Sequence, residues 1–217
     1  MLGRALLFSA LTCSLSLTSA AVSSAGEPIF IGNETTGCDY NSSKGNAPKT
    51  DTAYGEIYGG KIASDGSAKA AGNKLSLGSK HQLKADGKVY GGFASGKTAS
   101  EASTNNVVFD QVTTSGPVYV WGGYAKTEGN SNADAFQNSV QIKNVFITDN
   151  SYETNTICGG AAEVTGNGNA ASYQNNVKLE SVNFTADSWY CETIGGSAAV
   201  TGNGNASVSN SSIELEK

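Results

Sequence analysis

Short segments in which every second residue is apolar recur along this chain at regular intervals. Each begins with Asn or Ser, and they occupy residues 73–77, 105–109, 138–142, 175–179 and 211–215. Apolar side chains at alternate positions are typical of a half-buried β-strand. Beyond the extreme N-terminus no stretch has the period of an amphipathic helix, so the sequence predicts an all-β protein.

A pair of glycines precedes each of these segments and sets the period of the chain. The second glycine of the pair is residue 60, 92, 123, 160 or 196, so successive pairs are 32, 31, 37 and 36 residues apart. The motifs are Ile57-Tyr58-Gly59-Gly60, Val89-Tyr90-Gly91-Gly92, Val120-Trp121-Gly122-Gly123, Ile157-Cys158-Gly159-Gly160 and Thr193-Ile194-Gly195-Gly196. Periods of roughly 20–50 residues are typical of solenoids and arrays.

A unit of this length cannot bury its apolar face alone, whereas stacking it on a copy extends the core and pairs equivalent strands. The sequence therefore predicts a parallel β-solenoid of about five coils, in which equivalent residues form columns. Two predicted columns are Ile57, Val89, Val120 and Ile157, and Ala94, Ala125, Ala162 and Ala198. The glycine pairs are expected where a side chain would clash with the next coil or where the backbone needs a positive φ.

A further predicted column consists of asparagines that begin four of the alternating segments, namely Asn73, Asn105, Asn138 and Asn175. An asparagine amide carries both donors and an acceptor, so these side chains can form a hydrogen-bonded ladder along the solenoid. Alternatively, each asparagine is present because it tolerates the left-handed backbone conformation of a turn.

The first 25 residues have the features of a secretory signal peptide. Arg4 supplies the positive charge, residues 5–17 are mostly apolar, and small residues at 18–20 or 23–25 offer a cleavage site. The stretch is too short and too polar for a transmembrane anchor. We therefore predict an exported chain with a signal peptide at 1–25, an N-terminal cap or lead-in at 26–53 and solenoid repeats at 54–217.

The composition argues against one class of partner. Lys plus Arg number 14 against 19 for Asp plus Glu, which gives a net charge of −5. Nucleic-acid binding needs a concentrated basic surface, so we expect no nucleic-acid partner. Glycine, at 27 of 217 residues, exceeds its average share, as is common in exported β-proteins with many turns.

Three cysteines remain after the predicted signal peptide. Cys158 and Cys191 lie 33 residues apart, close to one repeat, so stacking could bring them together as a disulfide in an oxidising compartment. They are not equivalent, since Cys158 precedes its second glycine by two positions and Cys191 precedes Gly196 by five. Cys38 is then unpaired or links to another chain. None has the CxxC spacing of a zinc site, so we expect no metal and no cofactor.

The sequence contains no recognisable catalytic motif. His81 is the only histidine, and it lies in a polar stretch typical of a solvated loop. The twin segments 165–170 and 201–206 superficially resemble glycine-rich calcium repeats but lack the aspartates that ligate calcium, so they are better explained as Asn-Gly turns of consecutive coils. The sequence therefore favours a protein that is not an enzyme.

The unit of an apolar-aromatic-Gly-Gly-x-Ala strand, a Gly/Asn/Ala loop and an Asn-x-Val-x-Ile strand resembles the passenger repeats of bacterial autotransporter (type V secreted) proteins. The resemblance covers about residues 54–217 and implies a surface-exposed right-handed β-helix used as a stalk or adhesin by a Gram-negative bacterium. Residues 1–217 depart from that family in one respect, because they include no segment that could form the outer-membrane β-barrel that translocates such passengers. It stops inside the fifth unit, so the last coil is expected to fray or to pair with another molecule.

These features favour adhesion or cell-to-cell contact at the bacterial surface, outside the cell or in the periplasm. The expected partner is a host-cell or bacterial glycan or protein, or a second copy of the chain. Aromatic side chains suit such contacts, and the candidates, unless they pack in the core or under loops, are Tyr54, Tyr124, Tyr152, Tyr173, Trp189 and Tyr190. The alternatives are a polysaccharide-acting β-helix enzyme, which needs clustered carboxylates or basic residues on one sheet face, and a structural filament subunit.

Overall fold

The computed structural model describes residues 53–79, 82–114, 116–147, 154–184 and 191–217. It also describes the backbone of three short strands, β1 (Ala21–Ser23), β2 (Ile29–Phe30) and β3 (Asp39–Asn41). No helix occurs among these residues, and hence none that could span a membrane. The strands stack in parallel as a β-solenoid, which confirms the predicted fold class, while the right-handed sense of the coil stays a prediction.

Five layers of strands make up the solenoid. The first layer contains β4 (Ala53–Tyr58), β5 (Lys61–Ser64), β6 (Ser67–Ala71) and β7 (Lys74–Leu77). The second contains β8 (Gln82–Gly96), β9 (Ala99–Ser103) and β10 (Asn106–Asp110). The third contains β11 (Thr113–Thr114), β12 (Val118–Glu128), β13 (Ala133–Phe136) and β14 (Ser139–Lys143). The fourth contains β15 (Phe146–Ile147), β16 (Asn155–Thr165), β17 (Ala170–Tyr173) and β18 (Asn176–Glu180). The fifth contains β19 (Asn183–Phe184), β20 (Cys191–Ile194), β21 (Ser197–Thr201), β22 (Ala206–Ser209) and β23 (Ser212–Glu216).

Equivalent strands of successive layers pair into three sheets. Sheet A has the order β1-β6-β9-β13-β17-β22, and sheet C has the order β3-β7-β10-β14-β18-β23. Sheet B contains the other strands, including the long strands β8, β12 and β16 that carry glycine pairs. The described pairs are parallel except that β2 lies antiparallel to β4. Because β1 falls within the predicted signal peptide and β2 and β3 within the predicted lead-in, the boundaries of those regions stay predictions.

The core follows two of the predicted columns. The column of large aliphatic side chains is fully buried and consists of Ile57, Val89, Val120 and Ile157. The second column packs alanine against alanine and consists of Ala94, Ala125, Ala162 and Ala198. This second column faces further alanines of sheet A, among them Ala102 and Ala135, so little side-chain volume separates sheet A from that half of sheet B.

The glycine pairs mark a bend in the long strands of sheet B. In β12 the burial pattern alternates up to Trp121, both glycines are buried, and alternation resumes at Tyr124. A Cβ on the first glycine of the pair in layers one to four would lie 2.3 or 2.4 Å from the carbonyl oxygen of the first glycine in the next layer. None of the paired glycines has a positive φ. The close approach of the next coil is therefore confirmed as the reason for glycine here, and the positive-φ alternative is wrong.

The structure confirms the predicted asparagine ladder. The side-chain Nδ2 of Asn73, Asn105 and Asn138 donates to Oδ1 of the asparagine in the next layer at 2.7, 2.9 and 3.0 Å. The backbone N–H of each donates to the same Oδ1 at 3.0 or 3.1 Å. In the fifth layer Ser211 takes the equivalent place, and its hydroxyl accepts from the Asn175 N–H at 3.3 Å. The buried amides thereby satisfy one another along the solenoid axis.

The second glycine of each pair leaves space for this ladder. In the first four layers, a Cβ on that glycine would lie 2.4 or 2.5 Å from an amide atom of the ladder asparagine in the same layer. Left-handed backbone occurs one residue before the asparagines instead, with φ of 54°, 54° and 55° at Thr104, Gln137 and Gln174. The left-handed turn is thus not the reason for the asparagines themselves.

Apolar side chains of the fifth layer are exposed. Ile213 and Leu215 continue the sheet C columns of Val177 and Leu179, yet they are 46% and 72% exposed where Val177 is fully buried. Val208 of sheet A is also exposed. Apolar side chains in column positions of the fifth layer are therefore exposed to solvent. Fraying and self-association of this layer stay predictions.

Candidate functional site

Large aromatic side chains gather on the outside of sheet B, at the glycine bend. Tyr58, Tyr90 and Trp121 are register partners, and each follows an inward-pointing residue of the aliphatic core column. Phe93 and Tyr124 form a second column just after the glycine pair. We refer to Tyr58, Tyr90, Phe93, Tyr119, Trp121 and Tyr124 as the outer aromatic cluster.

The bend brings the two aromatic columns together. In a straight strand, residues three positions apart point to opposite faces and are separated by about 10 Å along the strand. The rings of Trp121 and Tyr124 are three positions apart, yet their centroids are 5.6 Å apart and their planes cross at 86°. Both side chains point outward because two consecutive buried glycines lie between them. The outer surface of sheet B is therefore concave along this line.

The aromatic rings stack along the solenoid axis and meet edge-to-face across the bend. The Tyr58–Tyr90 and Tyr90–Trp121 ring centroids are 5.0 and 4.8 Å apart, with planes within 8° of parallel. Phe93 and Tyr124 stack at 5.6 Å, and Tyr90 meets Phe93 at an interplanar angle of 77°. Aromatic pairs of these geometries contribute about 0.5–1.5 kcal/mol each beyond area burial. These ring contacts therefore add to the glycine bend in holding the shape of the cluster.

Charged groups line the edge of the outer aromatic cluster. The hydroxyl of Tyr58 donates to Glu56 at 2.8 Å, and Lys61 Nζ lies 4.4 Å above the Tyr58 ring centroid. The hydroxyl of Tyr124 donates to Glu163 of the next layer, and Lys126 Nζ is 3.5 Å from the same carboxylate. Burial, reinforced by the hydrogen bond to Glu163, raises the pKa of Tyr124 above its usual range. The Tyr124 hydroxyl therefore stays protonated and remains a donor at neutral pH.

The structure brings one of the predicted contact residues into this cluster. Tyr124 belongs to it, whereas Tyr173 lies on the outer face of sheet A, stacked on Phe136 with centroids 4.9 Å apart. The side chain of Tyr54 lies outside the described residues, although its backbone is part of β4. Tyr152, Trp189 and Tyr190 also lie outside the described residues.

Sequence reasoning missed the other members of the cluster, although the sequence carries the signal. Val89 and Val120 belong to the predicted core column, and side chains alternate along a strand. The residues that follow them, Tyr90 and Trp121, must therefore point outward. An aromatic residue at an outward position of consecutive repeats indicates an exterior surface rather than a core.

The predicted disulfide between Cys158 and Cys191 is not formed, and both are free thiols. The register pairs Cys191 with Asn155 and Cys158 with Ile194, so the two cysteines are offset by three residues along neighbouring strands. Three residues of strand span about 10 Å, which exceeds the Cα separation a disulfide tolerates. The sequence separation of 33 residues is three short of the local repeat of 36, and this difference is the offset. Cys38 lies outside the described residues.

Both thiols are expected to react slowly in the folded chain. Burial raises the pKa of Cys158 to about 12 and also raises the pKa of Cys191. Because the thiolate is the nucleophile, iodoacetamide at pH 8 should alkylate Cys158 at least about tenfold more slowly in the native chain than in urea. Peptide mass spectrometry of timed samples checks this. Equal rates in both states, or a Cys158–Cys191 cross-link that resists alkylation in urea, would contradict the free, buried thiol.

A pair of carboxylates lies on a different face of the solenoid. Glu101 and Asp134 are register neighbours on the outside of sheet A. Glu101 pairs with Lys69 at 2.8 Å and accepts from the Ser103 hydroxyl at 2.7 Å. Burial, followed by the charge of Glu101, raises the pKa of Asp134. If the chain were a polysaccharide-acting enzyme, these two carboxyl groups would be the candidates for its general acid and general base.

Metal binding finds little support in the described part of the chain. No group of three His, Cys, Asp or Glu side chains there is placed to hold a metal ion, and His81 lies outside the described residues. The twin segments 165–170 and 201–206 are confirmed as loops of consecutive layers. Their asparagine Oδ1 atoms accept backbone N–H groups, as Asn169 does from Asn205 at 2.9 Å. These oxygens stabilise the loop stack, which explains the loop sequence without a calcium ion.

Comparison of the chain with protein-family models, with curated proteins and with solved structures finds no match. The geometry of the outer aromatic cluster is therefore the main guide to function.

Proposed function

We propose that this chain is an exported, non-enzymatic β-solenoid that contributes to adhesion or cell-to-cell contact at a bacterial cell surface or outside the cell. The observation that carries the proposal is the outer aromatic cluster, a concave patch of large apolar rings on the outside of the fold. Tyr58 and Tyr90 are buried, but Trp121 and Tyr124 remain partly exposed, and contact with a partner explains why large apolar rings are retained at that exposed end. The resemblance of the repeats to autotransporter passengers supports the surface location.

The construction of the cluster suits a contact surface. Trp and Tyr side chains contribute most to many binding interfaces, because they bury a large area and lose little conformational freedom. Here the bent strands of sheet B hold the rings of Trp121 and Tyr124, and the glycine contacts between layers fix the bend. A surface already held in place has less entropy to lose on binding. The repeated layers thus supply a rigid support for the contact.

Beads coated with the full chain are expected to adhere to cultured epithelial cells, to bacteria or to each other. Replacing Trp121 and Tyr124 together by serine should reduce adhesion roughly tenfold or more, as loss of central aromatic contacts does elsewhere. The matched control is the Phe136→Ser/Tyr173→Ser variant, which removes a partly exposed stacked pair from sheet A. Bead counting by microscopy measures adhesion, and circular dichroism verifies that each variant is folded.

Three results would count against this proposal. Adhesion no greater than that of albumin-coated beads on every surface would overturn it. Loss of adhesion in the Phe136→Ser/Tyr173→Ser variant alone would move the contact to sheet A. Release of reducing sugars from a polysaccharide, abolished by Asp134→Asn, would favour the enzyme alternative instead.

A further inference from the structure

We infer that the outer aromatic cluster binds a neutral glycan, because two aromatic columns converge there on a rim of hydrogen-bonded glutamates and lysines. This inference rests on the proposed adhesive function and names the class of ligand for the same surface. It depends on where the aromatic columns end, on the charges around them and on a lysine that already occupies one ring face.

The accessible part of the cluster is its third-layer end. Tyr58 and Tyr90 are only 4% and 8% exposed, because their rings are covered by neighbours in the stack. Trp121 and Tyr124 are the last rings of their columns, since Cys158 and Ala161 take the equivalent positions in the fourth layer. Both rings are partly exposed. The large rings of the third layer are thus followed by small side chains in the fourth. We call this change of height the apolar step, and the C–H face of a sugar ring can pack against it.

The rim supplies hydrogen-bonding groups of both kinds beside this apolar step. Glu163 and Lys126 lie within 3.5 Å of each other, and the Tyr124 hydroxyl is bound to the same carboxylate. The Lys126–Glu163 side chains are about one-third exposed, so they can bind further partners. A carboxylate accepts from two hydroxyl groups and an ammonium donates three bonds. Adjacent hydroxyls of a sugar need such a combination of acceptors and donors.

The charges around the cluster balance, which favours a neutral ligand over a charged one. Among the residues that the structure describes, the columns of sheet B that contain and flank the aromatic rings hold three glutamates and three lysines, namely Glu56, Glu163, Glu192, Lys61, Lys88 and Lys126. A polyanion or polycation would meet as many like charges as opposite charges here. A neutral polyhydroxylated ligand avoids that conflict and can use every one of these groups.

A cationic ligand is disfavoured for a second reason. Quaternary ammonium groups bind against exposed aromatic faces. In this cluster Lys61 Nζ already lies 4.4 Å from the Tyr58 ring centroid and 5.8 Å from that of Phe93. The facing sides of Tyr58, Tyr90 and Trp121 are stacked on one another, so the side of Trp121 that faces the fourth layer is the one left for a ligand. Lys61 therefore blocks a second cation at the first-layer end, and at the Trp121 end the protein's own cation is Lys126, two residues after Tyr124 on the same face of the strand.

Isothermal titration calorimetry of the full chain tests the ligand class. The neutral probes are cellotetraose, laminaritetraose and tetra-N-acetylchitotetraose, and the charged probes are a heparin tetrasaccharide and tetramethylammonium. We expect at least one neutral probe to bind and both charged probes to bind at least tenfold more weakly. Failure of every neutral probe to bind the folded chain, or tighter binding of a charged probe, overturns the inference.

Variants locate the glycan on the cluster. Trp121→Ala should weaken binding of the neutral probe at least tenfold, and Glu163→Gln, which keeps the shape of the side chain, should weaken it about threefold to tenfold. Glu180→Gln is the matched control, because its pair with Lys143 in sheet C has the same exposure as the Lys126–Glu163 pair. Equal effects of Glu163→Gln and Glu180→Gln, or unchanged binding in Trp121→Ala, overturn the assignment.

Bead adhesion before and after periodate oxidation of the target cells separates this inference from the proposed function. Periodate cleaves vicinal diols, which 1,4-linked glucose has but 1,3-linked glucose and 1,4-linked N-acetylglucosamine lack within the chain, so adhesion that depends on a glycan of the cellotetraose type should disappear. Adhesion that survives periodate, together with no calorimetric binding, overturns the glycan and leaves the adhesive function standing. Calorimetric binding without any adhesion supports the glycan site and overturns adhesion.

Discussion

Replacement of Asn138 by alanine is expected to lower the free energy of unfolding by about 4 kcal/mol, since it removes four buried side-chain hydrogen bonds of roughly 1 kcal/mol each. The Asn138 amide accepts from the N–H and the Nδ2 of Asn105, and it donates to the Ala102 carbonyl and to Asn175 Oδ1. Alanine leaves the Asn105 N–H and the Ala102 carbonyl buried without these partners. Urea unfolding followed by circular dichroism measures the loss.

The control for Asn138→Ala is Asn132→Ala. Asn132 is exposed in a loop and accepts a hydrogen bond from the Asn169 N–H at 3.0 Å, where water can replace the asparagine. We expect Asn132→Ala to cost no more than about 1 kcal/mol. A cost for Asn138→Ala as small as that of the control would show that the ladder contributes little to stability.

The sequence predicts the solenoid and its internal columns well, for a physical reason. Stacking places equivalent residues of each repeat in contact, so a column read from aligned repeats is a list of neighbours. The second glycine of the pair and the residue that begins the alternating segment recur 13 or 15 residues apart in each unit, as Gly123 and Asn138 do, and in the structure they touch. The sequence therefore contained the relation between the glycine pair and the ladder, although only the structure shows that one makes room for the other.

Predictions that depended on exact register or on side-chain direction were less successful. The disulfide failed because an offset of three residues is small in the sequence but amounts to about 10 Å along a strand. The repeat motif contains Tyr90 and Trp121 but does not by itself show that their side chains point outward, so it does not predict the outer aromatic cluster. The bend that joins the two aromatic columns depends on two buried glycines in succession, and alternation alone does not predict such an interruption.

Replacement of Gly122 or Gly123 by alanine is expected to cost about 3 kcal/mol each, through overpacking against different neighbours. A Cβ on Gly122 would lie 2.4 Å from the Gly159 carbonyl oxygen, which is backbone of the next layer. A Cβ on Gly123 would lie 2.4 Å from the Asn138 Oδ1, which is a side-chain atom. Valine at either position should cost more than alanine, because it adds two methyl groups to the same overlap.

The control for these replacements must have neither a clash nor a positive φ. Gly129 lies in a loop but has a φ of 106°, so any side chain there is strained. Gly66 is the better choice, because its Cβ would meet only Ser64 Oγ at 3.7 Å and its φ is not left-handed. Gly66→Ala should change the free energy of unfolding by less than about 1 kcal/mol.

A double-mutant cycle with Asn138→Ala separates the two glycines. Removing the Asn138 amide opens the space that a Cβ on Gly123 needs, so Gly123→Ala should cost only about 1 kcal/mol in that background. The cost of Gly122→Ala should stay near 3 kcal/mol, because its obstacle is the backbone of the next coil. An osmolyte such as trimethylamine N-oxide keeps the weakest variants folded for measurement. We infer that the first glycine allows the close approach of the next layer and that the second makes room for the Asn138 side chain. Equal coupling free energies of Gly122→Ala and Gly123→Ala with Asn138→Ala would contradict this difference between the two glycines.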